Sequence, residues 1–199
     1  MKSSTWMVLS LTIVCLISGG LLSRVYISTK PRIEAQKQLE LTQRLNELLP
    51  EAKEFNEIIK DTLWTGLDEN KQVIGIIFRV APFGYGGPIP ILVALNCDST
   101  IKKIYIGSAS EGLKETPGLG YKVREEEFLN QFINKNYHAL SLVKDGGEIH
   151  AITGATISSR AVVKGIQSGI SRFAQYLPAK DTSASTDTIE QSNIEILGN

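Results

Sequence analysis

Thr153-Gly154-Ala155-Thr156 is where residue types and spacing say most about chemistry. Two small residues clear the approach to the Thr156 hydroxyl, and Ile157-Ser158-Ser159 continue in the order of an opening helix. Thr156 then sits beside backbone N–H groups with no intrahelical partner, a natural seat for a phosphate. The same residues also suit an ordinary helix start, which Ser/Thr and Gly before an apolar periodic segment commonly mark. A second segment, Glu115-Thr116-Pro117-Gly118-Leu119-Gly120, combines one proline with two glycines. That makes a stiff turn with exposed backbone N–H groups. It suits a surface connection, or a wall for a flat cofactor, since backbone comes close to a ring where side chains are small.

These segments need elements to hold them. From Thr156 to Leu177, Ile157, Ala161, Val162, Gly165, Ile166, Gly169, Ile170, Phe173, Ala174 and Leu177 recur as one helical face. Upstream, Thr62 to Leu67 and Lys71 to Ala81 flank Asp68-Glu69-Asn70 and read as a hairpin. Ile89 to Cys97 and Thr100 to Gly107 flank Asp98-Ser99 and read as another. Between the hairpins, residues 82–90 carry three glycines and three prolines, a loop of fixed shape. Glu125 to Ile133 suggests a short helix, and Leu140 to Val143 a strand before the turn Asp145-Gly146-Gly147. Strands followed by helices predict a small α+β domain.

The N-terminal part has a different character. Ser3 to Ser23 contains no charge and is strongly apolar. About 20 such residues span a bilayer as a helix, and Trp6 and Tyr26 stand where amphipathic rings favour the interface. Thr5 to about Ile27 is therefore expected to be one transmembrane helix. A cleaved signal peptide is the alternative, but the apolar stretch is long for one and no small-x-small site precedes Arg24. Val14 before Cys15 is too bulky for a lipoprotein cleavage site. Beyond it, Ile33, Leu39, Leu41, Leu45, Leu48 and Leu49 lie at roughly helical spacing, and Pro50 ends the run. The expected organisation is an anchor over 1–29, a helical stalk over 30–60, a folded domain over 61–177 and a disordered, Ser/Thr- and acid-rich tail over 178–199.

Composition excludes several classes. The chain has 21 Lys+Arg against 21 Asp+Glu and no basic stripe with aromatics, so nucleic acid is not expected as a partner. Two cysteines and two histidines, widely spaced, give no disulfide framework, iron–sulfur ligands or metal site. Lys2 before the apolar run and Arg24, Lys30 and Arg32 after it bias the C-terminal side weakly toward the cytoplasm.

Three segments, Gly84-Tyr85-Gly86-Gly87-Pro88-Ile89, Glu115-Thr116-Pro117-Gly118-Leu119-Gly120, and Lys144-Asp145-Gly146-Gly147-Glu148 running into Thr153-Gly154-Ala155-Thr156-Ile157-Ser158-Ser159, occur in this order behind one anchor helix. Together they closely resemble the FMN-binding G subunit of the Rnf electron-transport complex, which shares its domain with the C subunit of the sodium-translocating NADH:quinone reductase. The resemblance covers about residues 5–177. It implies an FMN-binding domain of antiparallel strands with a C-terminal helix, and FMN joined to Thr156 by a phosphoester that a separate flavin transferase installs. It also implies that Thr153, Gly154 and Ala155 supply the transferase recognition sequence and phosphate contacts, and that Glu115, Thr116, Pro117, Gly118 and Leu119 pack near the ring.

The implied function is electron transfer in a membrane complex that couples ferredoxin:NAD electron exchange to Na+ or H+ translocation. The integral membrane and iron–sulfur subunits would be its partners. The resemblance places the soluble domain on the outer side of the cytoplasmic membrane, against the weak charge bias. This chain departs from the family pattern at His150, where an aspartate is usual and Glu148 stands two residues away, and at Leu113, where a histidine or aspartate can occur. No catalytic residue is assigned. A stand-alone membrane-anchored flavin reductase is the alternative, with Tyr85, Glu115 and Tyr121 its only obvious acid–base candidates. A non-redox binding module is a third reading, against which the intact Thr156 and its small neighbours count.

Overall fold

A single α-helix, α1 (Lys2–Leu48), opens the computed structural model, which describes residues 2–178. The chain divides into two units, Met1–Glu47 and Leu48–Asn199. In the first, the side chains from Trp6 to Ile27 are exposed and mostly apolar, and the helix is long and apolar enough to cross a membrane. Several of its hydroxyls are satisfied within the helix: Ser10 Oγ donates to the Trp6 carbonyl at 3.0 Å, Thr12 Oγ1 to Val8 at 2.9 Å and Thr29 Oγ1 to Val25 at 2.8 Å. Polar groups bonded in this way can enter hydrocarbon, where no water replaces a missing partner. Charge pairs begin at Lys30–Glu34, 3.9 Å apart. That pair spans Pro31, which costs the helix one backbone hydrogen bond without ending it.

The helix stops at Leu48, and the helical stalk expected up to residue 60 does not continue. Residues Glu54–Ile59 form strand β1, paired antiparallel with β2 (Leu63–Leu67) from Glu54↔Leu67 to Ile59↔Leu63. The strand escaped sequence reading because it is an edge. Its side chains are mostly exposed, so no two-residue apolar alternation marks it, and its charged Glu54 and Glu57 blunt an unpaired border. Pairing with β2 decides its conformation.

β3 (Val73–Val80), β4 (Ile91–Asn96) and β5 (Ile101–Ile106) complete a five-stranded antiparallel meander in the order β1-β2-β3-β4-β5. Both expected hairpins are present. Asp68 Oδ1 accepts the N–H groups of Asn70 and Gln72, each at 2.8 Å, and Asp98 Oδ1 accepts Thr100 N–H at 2.9 Å. These bonds add to the backbone turn bonds, Lys71 N–H to Asp68 O at 3.1 Å and Ser99 N–H to Asn96 O at 3.0 Å, and together they hold tight turns with positive φ at Lys71 and Ser99.

α2 (Glu126–Leu129) and a following 3-10 turn occupy the short helix expected near 125–133. The strand expected over Leu140 to Val143 is reduced to a single bridge, Leu142↔Ile149, followed by a 3-10 turn over Val143–Asp145. No strand lies alongside to extend it, and the segment folds back on itself through Val143 N–H to Ile149 O and Ile149 N–H to Ser141 O, both 2.9 Å. α3 (Thr156–Phe173) packs on the sheet, burying Val162, Ile166, Ile170 and Phe173 in one core with Ile76, Phe78, Val93 and Ile104. Phe78 and Phe173 meet at 5.4 Å between ring centres. Helix and sheet approach so closely at Gly169 that an added Cβ would lie 2.2 Å from Phe78 Cε2. The α+β architecture, with antiparallel strands and a C-terminal helix, is therefore the one expected. The tail expected over 178–199 lies, from residue 179 on, outside the described residues.

Candidate functional site

The site is built around the N-terminus of α3. Ala155 occupies the cap position and has no side chain that can cap. Thr156 is the first helical residue and is half-buried, while Thr153 and Gly154 are exposed. The first helical N–H to find a carbonyl is that of Ser159, which donates to Ala155 O at 2.9 Å. The N–H groups of Thr156, Ile157 and Ser158 therefore end the helix without backbone acceptors, and they carry its positive partial charge. Gly154 has φ +80, a left-handed conformation that glycine adopts without strain.

Two serines that sequence reading left without a role hold this terminus. Both are fully buried. Ser159 Oγ accepts Ile152 N–H at 3.1 Å and donates to Ala155 O at 3.0 Å, tying the Thr153-Gly154 turn onto the helix. Ser158 Oγ accepts the N–H of Tyr85 at 3.2 Å, fastening the glycine-rich loop of residues 82–90 to the same turn. Their signal in the sequence was present but easily passed over: two small hydroxyls where the helical stripe should be apolar. Ile157, which the periodic pattern assigned to that stripe, is instead 57% exposed beside Thr156. The buried side of this first turn is taken by Ser158 and Ser159, and Ile157 points away from it.

The 82–90 loop closes through Gly84 N–H to Gly87 O and Ile89 N–H to Pro82 O, both 2.8 Å. It meets the second segment at Glu115. This carboxylate is only 6% exposed; its Oε1 accepts Gly86 N–H at 3.2 Å, and its Oε2 is buried with no hydrogen-bond partner. An added Cβ on Gly84 would lie 2.1 Å from Oε1, and one on Gly120 would lie 2.1 Å from Oε2. Both glycines are there to admit the carboxylate. Thr116-Pro117-Gly118-Leu119 is a turn closed by Leu119 N–H to Thr116 O at 3.3 Å, with φ +79 at Gly118, as a type II turn requires. Its Leu119 reaches the third segment, since an added Cβ on Gly154 would lie 3.1 Å from Leu119 Cδ2.

All three sequence segments thus converge. Exposed apolar side chains frame the helix terminus: Tyr85 is 74% and Leu119 48% exposed. Thr116, Pro117 and Gly118 are exposed along the same turn. Leu113, by contrast, is a core residue. The Tyr121 hydroxyl accepts Arg124 Nη1–H at 2.7 Å. His150 is exposed, and its backbone is clamped by Gln131, whose Oε1 accepts the His150 N–H at 2.7 Å and whose Nε2 donates to its carbonyl at 3.3 Å. Glu148 is engaged with Lys135, which holds its carboxyl below the ordinary carboxylate range.

One ion pair braces the site. Arg160 Nε and Nη2 donate to Asp145 Oδ2 and Oδ1, both at 3.0 Å, joining the Asp145-Gly146-Gly147 turn to α3 one turn past Thr156. The guanidinium, through these hydrogen bonds, holds the Asp145 carboxyl below its usual range. A carboxyl whose folded pKa is lowered stabilises the fold above its unfolded value, about 3.9, and loses that contribution as pH falls through the folded value. The brace is therefore expected to stay intact through the neutral range and release only in acid. An NMR titration of the Arg160 Nε–H resonance should be flat down to about pH 5 and move below about pH 4; a transition near neutrality would contradict the assignment.

Residues 84–171 match the FMN-binding domain family, and residues 2–48 match the RnfG N-terminal region. The G subunit of the proton-translocating ferredoxin:NAD(+) oxidoreductase complex of Clostridium ljungdahlii is 34% identical over 175 residues, which are 86% of this chain and 92% of that protein. The G subunit of the ion-translocating oxidoreductase complex of Vibrio vulnificus is 33% identical over 184 residues, 81% of this chain and 85% of that protein. Among solved structures, the C subunit of the Na(+)-translocating NADH-quinone reductase from Parabacteroides distasonis aligns with TM-score 0.47 and 20% identity, covering 60% of this chain and 63% of that one. With matches at both ends and relatives aligned over most of its length, the chain belongs to the RnfG family, the G subunits of ion-translocating oxidoreductase complexes.

Proposed function

We propose that this protein is the FMN-carrying electron-transfer subunit of a membrane complex that couples ferredoxin:NAD electron exchange to Na+ or H+ translocation, and that its FMN is joined to Thr156 by a phosphoester. The observation that carries the reading is the meeting of three glycine-rich segments at the uncapped N-terminus of α3, with Thr156 as its first residue. The residues fit the group. Three N–H groups without backbone acceptors suit a phosphate's charge, at a typical 0.3–1 kcal/mol (about that for one helix terminus). Gly154 and Ala155 keep the hydroxyl approachable. Glu115 Oε2, buried without a partner, offers an acceptor to a ring N–H, and leaving it bare costs about 1–3 kcal/mol. Thr116, Pro117, Gly118 and Leu119 would supply the wall beside the ring.

FMN exchanges one or two electrons, and the protein's part is to bind, orient and tune it. A phosphoester would fix one end of the cofactor on the rigid helix terminus. Exposed Tyr85, Leu119 and Ile157 would exclude water around the ring while leaving an edge open to a redox partner. NAD and iron–sulfur chemistry would reside on the other subunits of the complex, and a flavin transferase would install the bond. α1 would anchor the protein in the cytoplasmic membrane, with the second unit on the outer side.

Intact-protein mass spectrometry tests the cofactor directly. Protein matured with its transferase should be heavier than the bare chain by about 440 Da, the mass of FMN less water. An unmodified mass under those conditions overturns the linkage. The topology has its own test: a C-terminal alkaline phosphatase fusion should be active, and a fusion active only in the cytoplasm should be silent. The reverse pattern would place the domain inside.

A further inference from the structure

Among the described residues, Glu115 is the one buried residue that carries a charged group. Its carboxylate has a place made for it, because a Cβ at Gly84 or at Gly120 would collide with one or other of its oxygens. Little holds it there. Oε1 accepts a single N–H, from Gly86 at 3.2 Å, and Oε2 is bare. Among the described residues Glu115 is in no ion pair. Residues 82–90 and 116–120, which meet at it, carry no charge. Of the cations nearest in sequence, Lys114 lies with its stem along Gly87 and Lys122 is exposed. Arg124 donates to the Ile106 carbonyl at 3.1 Å and to the Tyr121 hydroxyl at 2.7 Å.

A buried charge is ordinarily paired, because the hydration it loses is otherwise unrecovered. Two glycines shaped around one unpaired carboxylate therefore keep a destabilising group in place. Proteins retain such groups at functional sites, where stability is given up for an electrostatic effect.

We propose that Glu115 is a tuning residue whose buried negative charge lowers the reduction potential of the flavin. The proposal rests on the FMN reading above. Glu115 is bonded to Gly86, and the N–H of the adjacent Tyr85 is held by Ser158, two residues after Thr156. The charge thus stands in the wall of the site to which a flavin joined at Thr156 is tethered. Reduction adds negative charge to a flavin, and the Glu115 carboxylate opposes that addition. It acts from the interior, where water and salt screen little. The electron donor to this site must then be a correspondingly strong reductant.

Spectroelectrochemical titration of the full chain, matured with its transferase and held in neutral detergent, tests the proposal. Glu115→Gln keeps the shape of the side chain and removes its charge. It should make the reduced flavin about tenfold easier to form at a fixed potential, the scale of one unit charge in a protein interior. For a one-electron step that is a rise of about 59 mV. The rise should persist at high salt. Glu125→Gln removes the same charge from an exposed position on the next turn, and it should move the potential much less. The bare chain gives a second readout. Without FMN, Glu115→Gln should withstand denaturant at least as well as the natural chain, since an unpaired buried charge is gone. An unchanged potential in Glu115→Gln, with the FMN mass increment present in both proteins, overturns the proposal and leaves the FMN reading standing. An equal shift in Glu125→Gln also overturns it. So does a bare Glu115→Gln chain that unfolds more easily, which would make Glu115 a structural residue. A natural chain that carries no FMN after maturation overturns the FMN reading, and this proposal with it.

Discussion

Thr156→Val is expected to remove the covalent flavin completely while the fold stands. After denaturing electrophoresis, the natural chain matured with its transferase should fluoresce under ultraviolet light, and the variant band should be dark. The mass increment of about 440 Da should vanish with it. The physical case is that valine keeps the shape of threonine and lacks only the hydroxyl on which the phosphoester would form. Thr156 is half-buried at the first position of α3, and no side-chain cap depends on it, since the turn before the helix is tied by Ser159. The stability change should therefore stay within about 1 kcal/mol, as for substitutions away from buried networks. Thr156→Ser, which restores a hydroxyl, should recover part of the fluorescence. A bright Thr156→Val band would move the attachment elsewhere, and Thr153 would be the next residue to test.

The second large effect lies at Glu115. Its carboxylate is held between two glycines, so that it cannot retreat from a Cβ on one without approaching the other. Gly120→Ala should therefore drive Glu115 from its buried seat and break its bond to Gly86 N–H, at a cost of about 1–3 kcal/mol for overpacking. In a Glu115→Gly background the obstacle, Oε2 at 2.1 Å, Cδ at 3.0 Å and Cβ at 3.1 Å from the added atom, is gone, and Gly120 does not have a positive φ. The same Gly120→Ala change should then be neutral or stabilising by about 0.4–1 kcal/mol, through reduced freedom of the unfolded chain. The two substitutions are thus coupled with a change of sign, measurable as a double-mutant cycle in denaturant unfolding of the full chain. Additive effects would mean that Glu115 does not occupy this seat in solution.

How much of this could be read in advance depended on whether the cause was local. The long apolar helix is legible because residues 3–23 are one uncharged run of the length that hydrocarbon demands. The two hairpins are legible because Asp68 and Asp98 build their turns from their own side chains. The turn at Thr116-Pro117-Gly118-Leu119 follows from a proline that sets one φ and a glycine that admits the next. The helix start at Thr156 follows from the same local rules. β1 was hidden because its partner, not its own pattern, makes it a strand. Ile157 was misplaced because periodicity grouped it with the apolar stripe, whereas the buried side of the first turn of α3 is taken by Ser158 and Ser159.

By itself, then, the sequence determined the long apolar N-terminal helix, the two hairpins, the long C-terminal helix and three glycine-rich segments, with Thr156 the residue of interest. Each follows from covalent geometry or from a pattern within one stretch of chain. Only the tertiary structure decided that the segments form one site. That takes contacts between residues 73 apart at Tyr85 and Ser158, and 29 apart at Gly86 and Glu115. It also decided that a buried carboxylate stands between two glycines. Such juxtapositions depend on how the sheet carries the loops to α3, and neither loop contains that information.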